Sequence, residues 1–135
     1  MVPDHLKMRP PGIYYDGLVE LAKIIPPNSI IAEIGSYCGE STRILLDSKN
    51  VRMIFCIDPW ISNYDPTDLI AGKDLIEVER VFDEHMKPYN NFVKVKQTSL
   101  DAVQMFPDHF FDSVYIDGDH RYESVKADFA AWRPK

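Results

Sequence analysis

Only two cysteines, Cys38 and Cys56, occur in 135 residues. That excludes a disulfide framework, and their separation fits no zinc-site spacing, so buried or loop thiols are expected. No apolar run approaches the ~20 residues needed to span a bilayer. The first twelve residues are polar and proline-rich, without the apolar core of a secretory signal, so the expected address is cytoplasmic with no membrane partner. Positive charge is also scarce: 15 basic residues stand against 21 acidic ones, a net −6. A nucleic-acid surface needs a clustered basic footprint, so no nucleic-acid partner is expected. Two nucleotide-binding signatures are missing as well. The fingerprint G-x-G-x-x-G fails at Tyr37, where the second glycine should let a pyrophosphate approach, and no Gly-Lys-Ser/Thr follows a strand. NAD, FAD and P-loop chemistry are thereby disfavoured.

What is present is a regular alternation. Residues 1–12 read as an irregular lead-in and 13–135 as one domain. Ile13 to Ile25 places Tyr14, Leu18, Leu21, Ala22 and Ile25 on one helical face, stopped by Pro26-Pro27. Ser29–Ile34, Met53–Ile57, Phe92–Val95 and Phe111–Ile116 are short apolar runs suited to strands of a parallel sheet. Helices are expected over Glu40–Asp47, Asp74–Met86, Leu100–Phe106 and Tyr122–Trp132, the last with Val125, Phe129 and Trp132 on one face. Residues 61–73 read as a loop. Strand and helix in strict alternation imply an α/β, doubly wound parallel sheet of about four strands. Such a sheet leaves apolar edges unpaired, and the expectation is a domain truncated before its C-terminal strands.

Three segments carry chemistry. Glu33-Ile-Gly35-Ser-Tyr-Cys-Gly39-Glu-Ser41-Thr turns from the first strand into a helix whose free amides would face a crevice at the strand ends. A plain strand-to-helix turn would look the same. Asp58 ends the second strand 23 residues beyond Gly35, where a carboxylate can accept from both hydroxyls of a ribose. Pro59-Trp60 after it could face an adenine or pack in the core. Thr98-Ser99 follows the third strand, with Ser99 either a ligand contact or a helix N-cap.

The third segment, Asp117-Gly118-Asp119-His120, puts two carboxylates and an imidazole around a glycine at the sheet mouth. Paired carboxylates suit Mg²⁺, and a histidine near neutrality can act as general base. Asp119 as a turn or cap residue and His120 as a surface residue is the alternative. Asp-x-Asp after an apolar strand also occurs in dehalogenase-type phosphatases and metal-dependent nucleotide-sugar transferases. The phosphatase form expects Thr or Val where Arg121 stands.

Glu33-x-Gly35-x-x-x-Gly39-x-Ser41 resembles motif I of class I methyltransferases, in the form of the catechol O-methyltransferase-like enzymes. Ile116 to Trp132 resembles a family of small bacterial-type domains, kin to catechol, macrolide-sugar and cephalosporin-pathway O-methyltransferases. The matched motifs reach from about residue 29 to 132. The resemblance implies a Rossmann-like fold, S-adenosylmethionine as cofactor and a small-molecule hydroxyl as acceptor. It further implies that the amides of Ser36, Tyr37 and Gly39 face the methionine part, that Glu33 holds the loop, and that Ser41 reaches the carboxylate. Asp58 would take the ribose and Ser99 the adenine. Asp117 would sit at the cofactor and match a first Mg²⁺ ligand, and His120 stands where the catechol-type enzymes place a catalytic lysine. The alternatives from other classes are a non-catalytic cofactor-binding fragment and a nucleotide-sugar transferase using Asp117 and Asp119.

Overall fold

The computed structural model describes residues 1–8, 13–61 and 72–135, with backbone alone for Ile13 and Tyr14. The Tyr14 side chain of the expected helical face, Pro10-Pro11 and most of the 61–73 loop lie outside the described residues. The elements are α1 (Ile13–Ile24), β1 (Ser29–Ile34), α2 (Glu40–Asp47), β2 (Val51–Ile57), α3 (Leu75–Met86), β3 (Phe92–Val95), α4 (Ser99–Ala102), β4 (Ser113–Ile116) and α5 (Tyr122–Trp132). The expected order of elements holds.

All strand pairings are parallel, in the order β3-β2-β1-β4. The chain builds outward from β1 through β2 to β3, then crosses back to lay β4 on the other side of β1. This reversal opens a crevice at the carboxyl ends, the place where open α/β sheets take ligands. Register makes the crevice sharp. Ile34 lies opposite Ile57 and Ile116, and Ile57 opposite Val95, so all four strands end level. Gly35, Asp58 and Asp117 therefore emerge side by side, and their amides extend the ladder by donating to Ile57, Val95 and Ile34 at 2.8, 3.2 and 2.8 Å.

Each face of the sheet is covered, as parallel sheets require. On one side α1, α2 and α3 bury Leu18, Ala22, Leu45, Val78, Phe82 and Met86. On the other, Ala102, Val103, Phe106 and Trp132 pack with Phe55, Phe110 and Phe111. Phe55 meets Phe106, Phe110 and Phe111 edge-to-face at 5.2–5.7 Å, the arrangement the ring quadrupole favours.

Three expectations are corrected. The first residues are not merely irregular: Asp4–Leu6 is a 3-10 turn, and Val2 and Leu6 join the core. Leu100–Phe106 is not one helix, because α4 ends at Ala102 and a 3-10 turn runs over Val103–Met105. Most consequentially, the expected apolar face of α5 does not pack as a unit: Trp132 is buried, but Val125 and Phe129 are 41% and 60% exposed. Its inward face is Ser124, Ala127, Asp128, Ala131 and Trp132. That stripe has the same helical period with a different phase, and its polar members line a cavity rather than the core.

Candidate cofactor and active site

The turn after β1 is built for close approach. Gly35 has φ 88°, and a Cβ there would lie 2.5 Å from the Asp117 carbonyl oxygen and 2.6 Å from Gly118 Cα. No side chain fits between the ends of β1 and β4. Gly39, at φ 79°, starts α2 in the left-handed region. Tyr37, also left-handed at φ 48°, is held by two bonds: its N–H donates to Asp58 Oδ2 at 2.9 Å, and its carbonyl accepts from Trp60 Nε1 at 2.9 Å. The Gly39 N–H donates to the Ser36 carbonyl at 2.8 Å. Two of the three amides expected to face a ligand, those of Tyr37 and Gly39, are therefore engaged inside the protein. Beneath the turn, Glu33 is fully buried and accepts from the Ser36 hydroxyl at 2.8 Å and from Thr42 Oγ1. It ties the loop to the first turn of α2. Burial pushes its pKa up, against the pull of these hydroxyls. Ser41 is buried and lines the cavity.

Asp58 stands at the tip of β2 beside this turn. Its two oxygens accept from the Tyr37 and Trp60 amides at 2.9 and 2.8 Å, one bond each. Each oxygen has a second lone pair for a hydroxyl donor. Burial raises its pKa, and the two amides oppose that shift. Trp60 belongs to the core, 4% exposed and 5.0 Å from the Phe82 ring, so it offers no face to a ligand. The free thiols of Cys38 and Cys56 are buried, with the Cys38 pKa pushed up to about 12, so neither is a poised nucleophile.

At the end of β4 the two carboxylates diverge. Asp119 is clasped by Arg121 through several bonds, the closest at 2.5 Å, and accepts from Ser124 Oγ at 2.6 Å. Arg121 holds its pKa far below the ordinary carboxylate range. It staples the first turn of α5, the alternative that made it a turn residue. Asp117 lines the cavity, with Tyr115 Oη at 3.3 Å and His120 Nε2 4.0 Å from its Oδ1. The His120 side chain is 70% exposed at the rim. Among the described residues no group of three or more His, Cys, Asp or Glu is placed to hold a metal. With Asp119 committed to Arg121, the donors present do not fit Mg²⁺, which takes hard oxygen ligands in near-octahedral array. The nucleotide-sugar reading loses its paired acids for the same reason.

Ser99 is not the helix cap. Thr98 is, accepting from the Asp101 N–H. The Ser99 hydroxyl donates to Asp128 Oδ1 on α5 and accepts from Trp132 Nε1 at 3.1 Å.

The four strand-end turns and the first turns of α5 enclose a cavity of about 1070 Å³. Its size suits a nucleoside-sized ligand with room for a second molecule. Acids stand on every side, among them Glu40, Asp58, Asp101 and Glu123, and no lysine or arginine lines it among the described residues. Such a wall favours a cationic ligand, and the sulfonium and ammonium of S-adenosylmethionine meet that demand.

The sequence did not point to Asp128, Ser124 or Met8, all in the lining. The i, i+4, i+8 spacing of Ser124, Asp128 and Trp132 was the available signal, hidden by the more apolar stripe beside it. It also missed a brace behind the turn. His85 Nδ1 lies 3.0 Å from the Cys38 carbonyl, Arg43 lies 2.7 Å from His85 Nε2, and Tyr89 bridges Arg43 to Asp47.

Residues 32–135 match a family described as a methyltransferase domain. No curated protein matches the chain. Among solved structures, precorrin 8W decarboxylase from Methanobacterium thermoautotrophicum is 16% identical, with a TM-score of 0.63, covering 98% of this chain and 65% of its own. Spermidine synthase from Thermotoga maritima is 17% identical with a TM-score of 0.62, over 90% of this chain and 39% of that one. An rRNA methylase from Streptococcus thermophilus is 9% identical with a TM-score of 0.54, over 92% and 63%. At these identities the likeness is one of fold, and the chain spans less than two thirds of each neighbour. With the family match over three quarters of its length, the chain belongs to the methyltransferase-domain family, of the Rossmann-like, class I, S-adenosylmethionine-dependent kind.

Proposed function

We propose that the chain binds S-adenosylmethionine across the tips of β1 and β2 and methylates a small-molecule hydroxyl presented near His120. The observation that carries this reading is the cluster of Asp58, the Gly35–Gly39 turn and Asp117 at one level of the sheet, opening into one acid-lined cavity. Asp58 takes the ribose hydroxyls on its remaining lone pairs. The methionine part lies over the turn between Gly35 and Gly39, with Ser36 and Ser41 beside it.

When bound, the cofactor supplies a methyl group on sulfur that is open to direct displacement. The protein's tasks are then alignment and proton removal. His120 Nε2 takes the proton of the acceptor hydroxyl as the oxygen–methyl bond forms and the methyl–sulfur bond breaks. Asp117, 4.0 Å away, steadies the imidazolium that results. No step passes through a metal. The acid lining disfavours phosphorylated or polyanionic acceptors, so a neutral or cationic small molecule is the proposed partner and nucleic acid is not.

The experiment is methyl transfer from S-adenosylmethionine to a panel of catechols and sugars, with His120→Ala beside the wild type. The reading expects the variant to keep its affinity for S-adenosylhomocysteine and to lose about 10²–10⁴-fold in kcat. Unchanged turnover removes His120 from the reaction. Cofactor binding without turnover on any acceptor favours the non-catalytic alternative.

A further inference from the structure

The turn between β1 and α2 is gripped from behind by a residue that lies outside the cavity. Four consecutive carbonyls of this turn each accept from a donor of the chain itself. Ser36 accepts from the Gly39 N–H at 2.8 Å, Tyr37 from Trp60 Nε1 at 2.9 Å, and Gly39 from the Arg43 N–H at 3.0 Å. The fourth, Cys38, has its partner on α3, where His85 Nδ1 lies 3.0 Å away. His85 is half-buried in the last turn of that helix and does not line the cavity, whereas Cys38 does. A Cβ on Gly39 would lie 3.2 Å from the Phe82 ring, so α3 also packs directly against the turn.

The partners of His85 fix its state. A carbonyl only accepts, so Nδ1 carries the hydrogen; a guanidinium only donates, so Nε2, 2.7 Å from an Arg43 nitrogen, is the bare acceptor. Arg43 is steadied in turn. Its Nε donates to Tyr89 Oη at 3.1 Å, and that hydroxyl donates to Asp47 at 2.7 Å. Burial lowers the His85 pKa and the Arg43 charge acts in the same direction, so the ring is neutral near pH 7. The peptide held this way is one that can flip. Gly39 stands at φ 79° without a Cβ to oppose the other sign, and the Cys38–Gly39 peptide is tied at both ends, by its N–H to Ser36 and by its C=O to His85. A released Cys38 carbonyl could turn its partial negative charge toward the cavity, where the carboxylate of an amino-acid tail would be repelled.

We propose that His85 is a positioning residue for the amino-acid end of the cofactor: oriented by Arg43, it keeps the Cys38 carbonyl on α3 and out of the cavity. This rests on the reading that the methionine part lies over the Gly35–Gly39 turn. The effect is confined to one end of the ligand, because Asp58 and the ribose stand on the other side of the turn. The geometry also supplies a conservative variant. In His85→Asn the side-chain Nδ2 occupies the place of the imidazole Nδ1, so the donor to Cys38 is kept although the acceptor for Arg43 is lost.

The test is calorimetric binding of two compounds to the whole chain: S-adenosylhomocysteine, and 5′-methylthioadenosine, which lacks the carboxylate and ammonium. His85→Ala is expected to weaken S-adenosylhomocysteine about 5–10-fold, the loss of one fixed hydrogen bond, and to leave methylthioadenosine within about twofold of wild type. His85→Asn is expected to recover most of the loss. Should His85→Ala fail to fold, His85→Leu keeps apolar volume beside Phe82 and Met86 without a donor and takes its place. A merely structural brace would weaken both compounds alike. Equal losses for the two compounds therefore overturn the proposal, as do unchanged affinities in His85→Ala or His85→Leu and a His85→Asn variant no better than these. A wild type that binds neither compound, or binds both equally, overturns the cofactor reading itself, a different failure.

Discussion

Glu33 and Gly35 show at single residues how the turn is held. A folded-state pKa raised above the ordinary carboxylate value means that the folded chain keeps a proton the unfolded chain has lost. The stability this confers is present below the reference value of 4.5 and is lost as pH rises through the folded pKa. Glu33→Gln keeps an acceptor for Ser36 and Thr42 and cannot ionise. Denaturant unfolding at pH 5 and pH 8 should therefore show the variant gaining on the wild type at the higher pH; a pH-independent difference contradicts the assignment. Gly35→Ala is the steric counterpart. A methyl group 2.5 Å from a backbone oxygen, on a residue at φ 88°, forces apart the ends of β1 and β4. The expected loss is about 2–4 kcal/mol in unfolding free energy, well beyond an ordinary surface change. Gly17 in α1 has open space and no left-handed φ. There Gly17→Ala should stabilise by about 0.5–1 kcal/mol.

Among the elements, α5 is the one whose two faces do different things. Trp132 is 1% exposed and closes the aromatic cluster under β4, whereas Phe129 is 60% exposed. Thermal unfolding should separate them. Trp132→Ala is expected to cost about 3–5 kcal/mol, and Phe129→Ser to change stability by no more than about 0.5 kcal/mol. Equal losses would contradict the placement of this helix. The same helix marks where sequence reasoning reached its limit. Period and boundaries were legible, because Tyr122–Trp132 has the right length between a turn and Pro134. Phase was not, because apolar periodicity finds the face that is dry, and the inward face of α5 is partly a ligand wall. The strands were easier to read. Ser29–Ile34 has partners on both sides and covered faces, so its unbroken apolar run could be little else. The N-terminal turn was missed because Val2 and Leu6 are isolated apolar residues among polar ones, too few to show a period.

For the molecule as a whole, the account depends on one arrangement: β1 and β2 as parallel neighbours with their tips level, and a cavity across them. The motif segments at Gly35–Gly39, Asp58 and Asp117 were visible as sequence, and the fold brings all three to one mouth. What a sequence could not display is which polar atoms the protein consumes for itself. Arg121 takes Asp119, the Tyr37 amide takes half of Asp58, and Asp128 takes the Ser99 hydroxyl. These are contacts set by three-dimensional proximity, and they determine which donors and acceptors are left over for a ligand. Among the described residues no helix is long and apolar enough to cross a membrane. The most direct test of the whole is isothermal titration of the chain with S-adenosylhomocysteine, with Asp58→Ala beside it. The account predicts saturable one-to-one binding to the wild type and an affinity about 10–100-fold weaker in the variant, the loss of charge-assisted bonds to the ribose. No binding to a folded wild type, or equal affinity in Asp58→Ala, would contradict it.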